Sequence, residues 1–279
     1  MAFCKLFTVL VLIHNGGGLL GAEVRSSIIG GEDALQGVWP WMVHLNISAD
    51  GIKKYRCGGT ILNSQLVLTS ASCWDRHPKP NPSRSMAWVG SQDLAKGATR
   101  YMGLAFHMSH PNYKAYDGGS VNDLGLVKLK KKLVFSESKL VAPVKLPSPN
   151  DIFDETSECW ITGWGAVGNG VPLPAPETLQ QLRIPILPQS VCKAKYPHLT
   201  SDQLCAGDLA GGKDACKGDY GGPLVCRTAR GFVQVGIMSY GSPDGCGLPD
   251  RPGVYTRVSS YMDYINSYIN LTEEASAEV

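Results

Sequence analysis

The feature that most restricts the fold of this chain is a succession of short β-prone segments cut apart by turn-formers. They are Trp41–Ile47, Thr60–Ser70, Met86–Val89, Leu124–Leu129, Glu158–Thr162, Val233–Tyr240 and Gly253–Val258, with 32 Gly and 18 Pro as punctuation in 279 residues. Short strands at such spacing predict an all-β barrel or sandwich. A helix is predicted only at the end. Val258, Tyr261, Met262, Ile265, Tyr268 and Ile269 recur at helical spacing and make one apolar stripe over about 258–270. The remainder, 271–279, reads as a polar tail without an anchor signal.

The first residues read as an export signal. Lys5 precedes the apolar run Leu6–Ile13, and small residues end in Leu20-Gly21-Ala22, so 1–22 is expected to be a signal peptide and 23–27 a short propeptide-like segment. Of 9 cysteines, Cys4 leaves with the signal. Cys57, Cys73, Cys159, Cys192, Cys205, Cys216, Cys226 and Cys246 remain, an even set that argues for disulfides in a secreted chain, although spacing alone permits about 105 pairings. Sequons at Asn46 and Asn270 fit glycosylation of such a protein, while Pro82 excludes Asn81. No Cys/His cluster suggests a metal, and the loop Gly90–Gly97 offers Asp93 as its sole carboxylate, too few oxygens for calcium. No cofactor is implied. Without Lys5, Glu23 and Arg25, 24 of the 26 basic and 23 of the 24 acidic side chains remain. Such a balance gives no general pull toward nucleic acid or anionic membrane.

Lys217–Cys226 reads KGDYGGPLVC and has the form of a nucleophile loop, with glycines where backbone amides must approach a ligand closely. Around it stand IIGG at Ile28, WPWMV at Trp39, CGGTIL at Cys57, TSASC at Thr69, DLGLVKL at Asp123, CWITGWG at Cys159 and PGVYTRV at Pro252. Together these motifs resemble the trypsin-like serine proteases, nearest the tryptase branch, over roughly Ile28–Ile269. The resemblance implies two six-stranded antiparallel β-barrels with a C-terminal α-helix and a cleft between the barrels. The protease-like domain would span 28–270, with the first barrel about 28–143 and the second about 144–260. It also implies the disulfides Cys57–Cys73, Cys159–Cys226, Cys192–Cys205 and Cys216–Cys246.

Peptide hydrolysis on this fold requires a hydroxyl nucleophile, an imidazole that takes and returns its proton, and a carboxylate that holds the imidazole. The matching positions carry Tyr220, Ser72 and Asp123. Serine has no proton affinity near neutral pH, so Ser72 cannot act as base, and a phenol of pKa near ~10 has nothing to activate it. His77, His107 and His110 are read as packing or loop residues rather than replacements. A volume exchange is expected, with the Tyr220 ring taking the imidazole space and its hydroxyl bonding Asp123. The backbone N–H groups of Gly218 and Tyr220 resemble an oxyanion hole. Asp214 matches the floor of a pocket for Arg or Lys, with Gly241 and Gly253 as open walls.

Relatives are activated by a cut after a basic residue, so that the new N-terminus, here Ile28, pairs with the buried acid, here Asp219. Ser27 precedes Ile28, and Arg25 is the sole basic residue nearby. These departures lead to the expectation of a secreted, catalytically inactive serine protease homologue that binds an extracellular protein and is a decoy or regulator of proteolysis. The alternatives are a glycan-binding or antimicrobial homologue, with weak heparin binding on Lys128, Lys130, Lys131 and Lys132, and a residual trypsin-like endopeptidase.

Overall fold

The computed structural model describes residues 28–277 except 51, 78, 98–99 and 136–138. The expected signal at 1–22, the segment 23–27 with Arg25 and Ser27, and the last two residues of the tail lie outside the described residues. The strands are β1 (Glu32–Asp33), β2 (Met42–Ala49), β3 (Lys53–Ile61), β4 (Leu66–Thr69), β5 (Met86–Val89), β6 (Arg100–Ser109), β7 (Lys114–Tyr116), β8 (Gly119–Val121) and β9 (Gly125–Leu129) in the first half. They continue as β10 (Cys159–Gly163), β11 (Gln180–Arg183), β12 (Gln203–Ala206), β13 (Pro223–Thr228), β14 (Gly231–Tyr240) and β15 (Gly253–Arg257). Three α-helices are described, α1 (Ser72–Asp75), α2 (Gln189–Lys195) and α3 (Met262–Ala277).

Six antiparallel strands close the first barrel in the order β2-β3-β4-β9-β6-β5, and β5 returns to β2. Leu45, Ile47, Ile61, Leu66, Leu68, Leu104, Leu126 and Leu129 fill it and are fully buried, each contributing about 1.5–3 kcal/mol of hydrophobic stabilisation. The second half is one seven-stranded sheet, β1-β11-β10-β13-β14-β15-β12. The expected second six-stranded barrel is thus seen, among the described residues, as a sheet of seven strands whose ends do not pair, and its seventh strand comes from the N-terminal end. β1 pairs along β11, and Ile28 is buried in the core that Cys159, Ile161, Leu224 and Tyr255 share. Residues 28–33 therefore belong with the second sheet rather than with a first barrel beginning at 28.

Other boundaries shift for local reasons. The run Thr60–Ser70 is not one strand, because Leu62–Gln65 turns the chain and Asn63 Oδ1 accepts from the backbone N–H groups of Gln65 (3.0 Å) and Leu66 (2.9 Å). The terminal helix starts as a 3₁₀ turn over Val258–Tyr261 and then runs to Ala277. The polar tail expected over 271–279 is thus helical through Ala277. Thr272 is buried and its hydroxyl accepts from Asn63 Nδ2 at 2.9 Å, which ties that turn to the β3–β4 connection. The apolar stripe lies on the first barrel, with Val258 and Ile265 fully buried.

The halves meet through Trp39, Trp41 and Phe232, with Trp39 4.9 Å from Phe232 and 5.8 Å from Trp41 between ring centroids. A second junction runs between β3 and the turn before β13. There Gly58 N–H donates to the Tyr220 carbonyl at 2.8 Å, and a Cβ on Gly58 would come within 2.7 Å of Gly222 Cα. Only glycine permits that approach. Four disulfides, Cys57–Cys73, Cys159–Cys226, Cys192–Cys205 and Cys216–Cys246, close the loops around it.

Candidate functional site

Three segments converge where the halves meet: α1 and its flanks, the loop before β9, and the turn Lys217–Gly222. Asp123 is fully buried. Its Oδ1 accepts from the Ser72 backbone N–H at 2.8 Å. Its Oδ2 accepts from the hydroxyls of Ser239 at 2.5 Å and Ser120 at 3.1 Å. Burial pushes the Asp123 carboxyl upward, against the pull of these donors. Ser72 is almost fully buried, and its hydroxyl donates to Ser70 Oγ at 3.1 Å.

The expected bond between the Tyr220 hydroxyl and Asp123 is not formed. Three donors, the Ser72 N–H and the Ser120 and Ser239 hydroxyls, already hydrogen-bond the carboxylate, and its remaining acceptor site on Oδ1 is not used by Tyr220. The Tyr220 ring instead packs, half-buried, against the cores of both halves. Burial pushes its hydroxyl above the usual phenol range, so it stays protonated at neutral pH.

Of the histidines, His77 stacks on Tyr55 with centroids 3.4 Å apart and His107 stacks on Trp74 at 4.3 Å. His110 meets the rings of Tyr261 and Tyr264. Burial lowers all three below the ordinary imidazole value.

The amide groups of the turn are shaped by conformation. Gly218 has φ +104°, a value strained for any residue with a side chain, and Gly221 has φ +79°. Neither the Gly218 nor the Tyr220 N–H donates to another group among the described residues. Asp219 lies beneath the turn and is buried, with Oδ1 on Gly165 N–H at 2.8 Å and Oδ2 on Cys216 N–H at 3.0 Å. Burial, reinforced by the charge of Asp214, pushes its carboxyl up to about 7.

Asp214 is tied to the N-terminal segment. Its backbone exchanges two hydrogen bonds with Ile29, at 2.9 and 3.2 Å. Asp214 Oδ2 accepts from Gly247 N–H at 3.0 Å, while Oδ1 is buried without a hydrogen-bond partner. Burial pushes this carboxyl up to about 6. A Cβ on Gly253 would stand 3.0 Å from Asp214 Oδ1, whereas a Cβ on Gly241 would meet nothing within 4 Å. The two glycines thus differ, Gly253 abutting the carboxylate and Gly241 opening onto the cleft.

The cleft is divided. On one side of Tyr220 is a cavity of about 560 Å³ bordered by Cys216, Tyr240, Gly241 and Cys246. On the other is a cavity of about 420 Å³ bordered by Tyr55, Cys57, Ser72 and His77. Tyr220, Arg76 and Lys217 line both and form the wall between them. Arg76, Lys217, Ser120 and Ser239 were not singled out in the sequence. Ser239 sits in an apolar strand where nothing but its polarity marks it, and the two cations resemble any surface charge until the fold brings them together.

Elsewhere, the lysine strip is only partly projecting, since Lys128 is half-buried with Nζ 5.8 Å from the Phe106 ring centre, and Lys131 and Lys132 are exposed. Asn270 is exposed on α3, while Asn46 is half-buried in the middle of β2. Among the described residues no group of three His, Cys, Asp or Glu side chains could hold a metal ion. No helix among them is long and apolar enough to cross a membrane.

A closed β-barrel joined to a second antiparallel sheet, with a buried aspartate and a glycine-rich turn at their junction, is the architecture of a trypsin-like domain. Residues 28–265 match the protein family described as Trypsin, and the chain belongs to that family. It is 35% identical to the protein named tryptase of mouse (Mus musculus) over 268 residues, covering 92% of this chain and 93% of that protein. It is 36% identical to the protein named coagulation factor XI of cattle (Bos taurus) over 245 residues, covering 87% of this chain. The match spans only 38% of factor XI's own length.

Proposed function

We propose that this protein is a secreted, catalytically inactive member of the trypsin family that acts by binding another extracellular protein, as a decoy for or regulator of proteolysis. The observation that carries the reading is the state of Asp123. In the hydrolytic mechanism that carboxylate orients an imidazole, and here its oxygens are held by Ser72 N–H, Ser120 and Ser239. Among the described residues no hydrogen bond joins an imidazole to Asp123 or to Tyr220, whose hydroxyl burial keeps protonated. Loss of either nucleophile or base in a protease of this mechanism costs about 10⁶ in turnover, roughly 8 kcal/mol of transition-state stabilisation. Four disulfides support an oxidising, extracellular setting.

The test is direct. Purified secreted protein is incubated with chromogenic peptides ending in Arg or Lys and, separately, with a biotinylated fluorophosphonate. No turnover above buffer and no covalent label is the expected result. Turnover that copurifies with the chain, abolished by Tyr220→Phe, would overturn it.

A further inference from the structure

We propose that the chamber on the Ser72 side of Tyr220 docks an acidic peptide segment of the partner protein. This rests on the reading that the chain acts by binding, and it specifies the chemistry bound. The chamber has a volume of about 420 Å³, and its wall includes Lys54, Arg56, Arg76 and Lys217 with no carboxylate among them. Arg56 is neutralised by Glu177, whose Oε1 accepts from its Nη1 at 2.9 Å. Lys54, Arg76 and Lys217 make no ion pair among the described residues, and all three side chains are exposed.

These three charges come from separate stretches of chain. Lys54 is on β3, Arg76 follows α1, and Lys217 opens the turn that carries Tyr220. The Cys57–Cys73 disulfide and the bond from Gly58 N–H to the Tyr220 carbonyl at 2.8 Å clamp the three together. The backbone segments that carry the three cations are therefore held together before binding, so that only their side chains need ordering, which is how a partly preorganised site gains affinity. The whole chain carries a formal charge of only +2, so this local excess is not a share of a generally basic surface. Cations around a concave, partly apolar wall concentrate their field in it.

The rest of the chamber selects a peptide over a sulfated sugar. Its lining includes the Tyr55–His77 stack, the Cys57–Cys73 disulfide and the Tyr220 ring. A carboxylate-rich peptide with one aromatic residue satisfies both the cations and this apolar surface. A sugar polyanion uses only the former. Tyr220 then has a positive role as the end wall of the chamber, in the place where a nucleophile would otherwise stand.

The probe is a fluorescein-labelled peptide, Gly-Glu-Glu-Phe-Glu-Glu, followed by polarisation on the full secreted chain at physiological salt, with a Gln-for-Glu peptide as control. The triple variant Lys54→Glu, Arg76→Glu, Lys217→Glu is expected to bind the acidic peptide about tenfold or more weakly, since like charges replace opposite ones. The triple Lys54→Gln, Arg76→Gln, Lys217→Gln falls between, and guards against a fold change caused by the reversed charges. Lys130→Glu, Lys131→Glu, Lys132→Glu leaves the affinity unchanged. Equal affinity in the wild type and the chamber triple overturns the proposal, as does equal binding of the Gln peptide. Displacement by heparin that depends on Lys130–Lys132, with loss of the peptide in that variant, also overturns it and assigns the anion site to the lysine strip. Turnover of the chromogenic peptides by the wild type overturns the inactive reading alone, so the two failures are distinguishable.

Discussion

Replacing Asp219 with asparagine tests the electrostatics beneath the turn. The carboxyl is 3% exposed and pushed up to about 7, chiefly by burial. In the unfolded chain its pKa is near ~3.9. Because the folded value is the higher, its contribution to stability is fully present below pH ~4 and is lost as pH rises through about 7. A gap of about 3 units corresponds to about 4 kcal/mol. Asparagine does not titrate, but its amide can accept only one of the two N–H groups now on the carboxylate, from Gly165 and Cys216. That lost bond costs about 1 kcal/mol. Asp219→Asn is therefore expected to be more stable than the parent by about 3 kcal/mol at pH 8 and less stable by about 1 kcal/mol at pH 4. The assay is urea unfolding with disulfides intact at pH 4, 6 and 8. A residual slope remains from Asp214, pushed up to about 6 by its own burial. An equal pH slope in parent and variant refutes the reasoning. Destabilisation of the variant at pH 8 refutes it differently: the ionised carboxylate would then have a cationic partner, and N-terminal sequencing would show whether that is the amino group of a chain beginning at Ile28.

Gly221→Ala is expected to cost roughly 2–4 kcal/mol, because φ is +79° and the new Cβ would come within 2.2 Å of Thr69 Oγ1 and 2.7 Å of the Gly58 carbonyl; thermal unfolding measures it. The double change Ser72→His with Tyr220→Ser is expected to cleave Arg or Lys peptides at least ~10³-fold faster than the parent, and Ser72→His alone to give no gain, since the groups act as a unit. Initial rates on chromogenic substrates measure both. Mass spectrometry of the secreted protein is expected to find glycan at Asn270, exposed on α3, and an unmodified Asn46, half-buried within β2.

The short segments around Trp41, Met86, Leu124, Glu158, Val233 and Gly253 were legible because strand-forming side chains stand between turn-formers, a local signal. Of strand β6 only the end was legible, where Phe106–Ser109 reads as a strand running into a turn; the rest of Arg100–Ser109 mixes Arg and Gly with its apolar residues and is held by pairing with β5 and β9. The β1–β11 pair was hidden for a related reason. Two exposed acidic residues, Glu32 and Asp33, carry no strand propensity, and only the open edge of Gln180–Arg183 makes them a strand. At the site, the substitutions at Ser72 and Tyr220 were readable in single motifs, whereas the direction of the Tyr220 side chain was not. Its expected bond to Asp123 does not form: the ring packs against the cores of both halves, and Ser120 and Ser239, distant in sequence, donate to that carboxylate.

The sequence alone determined what chemical groups this protein has at its cleft: a carboxylate, two glycine-shaped amides, a serine and a phenol, and no imidazole in their motifs. Residue type sets which groups can take up a proton or attack at all, so the absence of a base and of a serine nucleophile from those motifs needed no coordinates. Tertiary structure decided what surrounds them. Burial and long-range contacts, which depend on every strand at once, raised Asp219 to about 7, gave Asp123 its hydroxyl donors, and brought Lys54, Arg76 and Lys217 around one chamber.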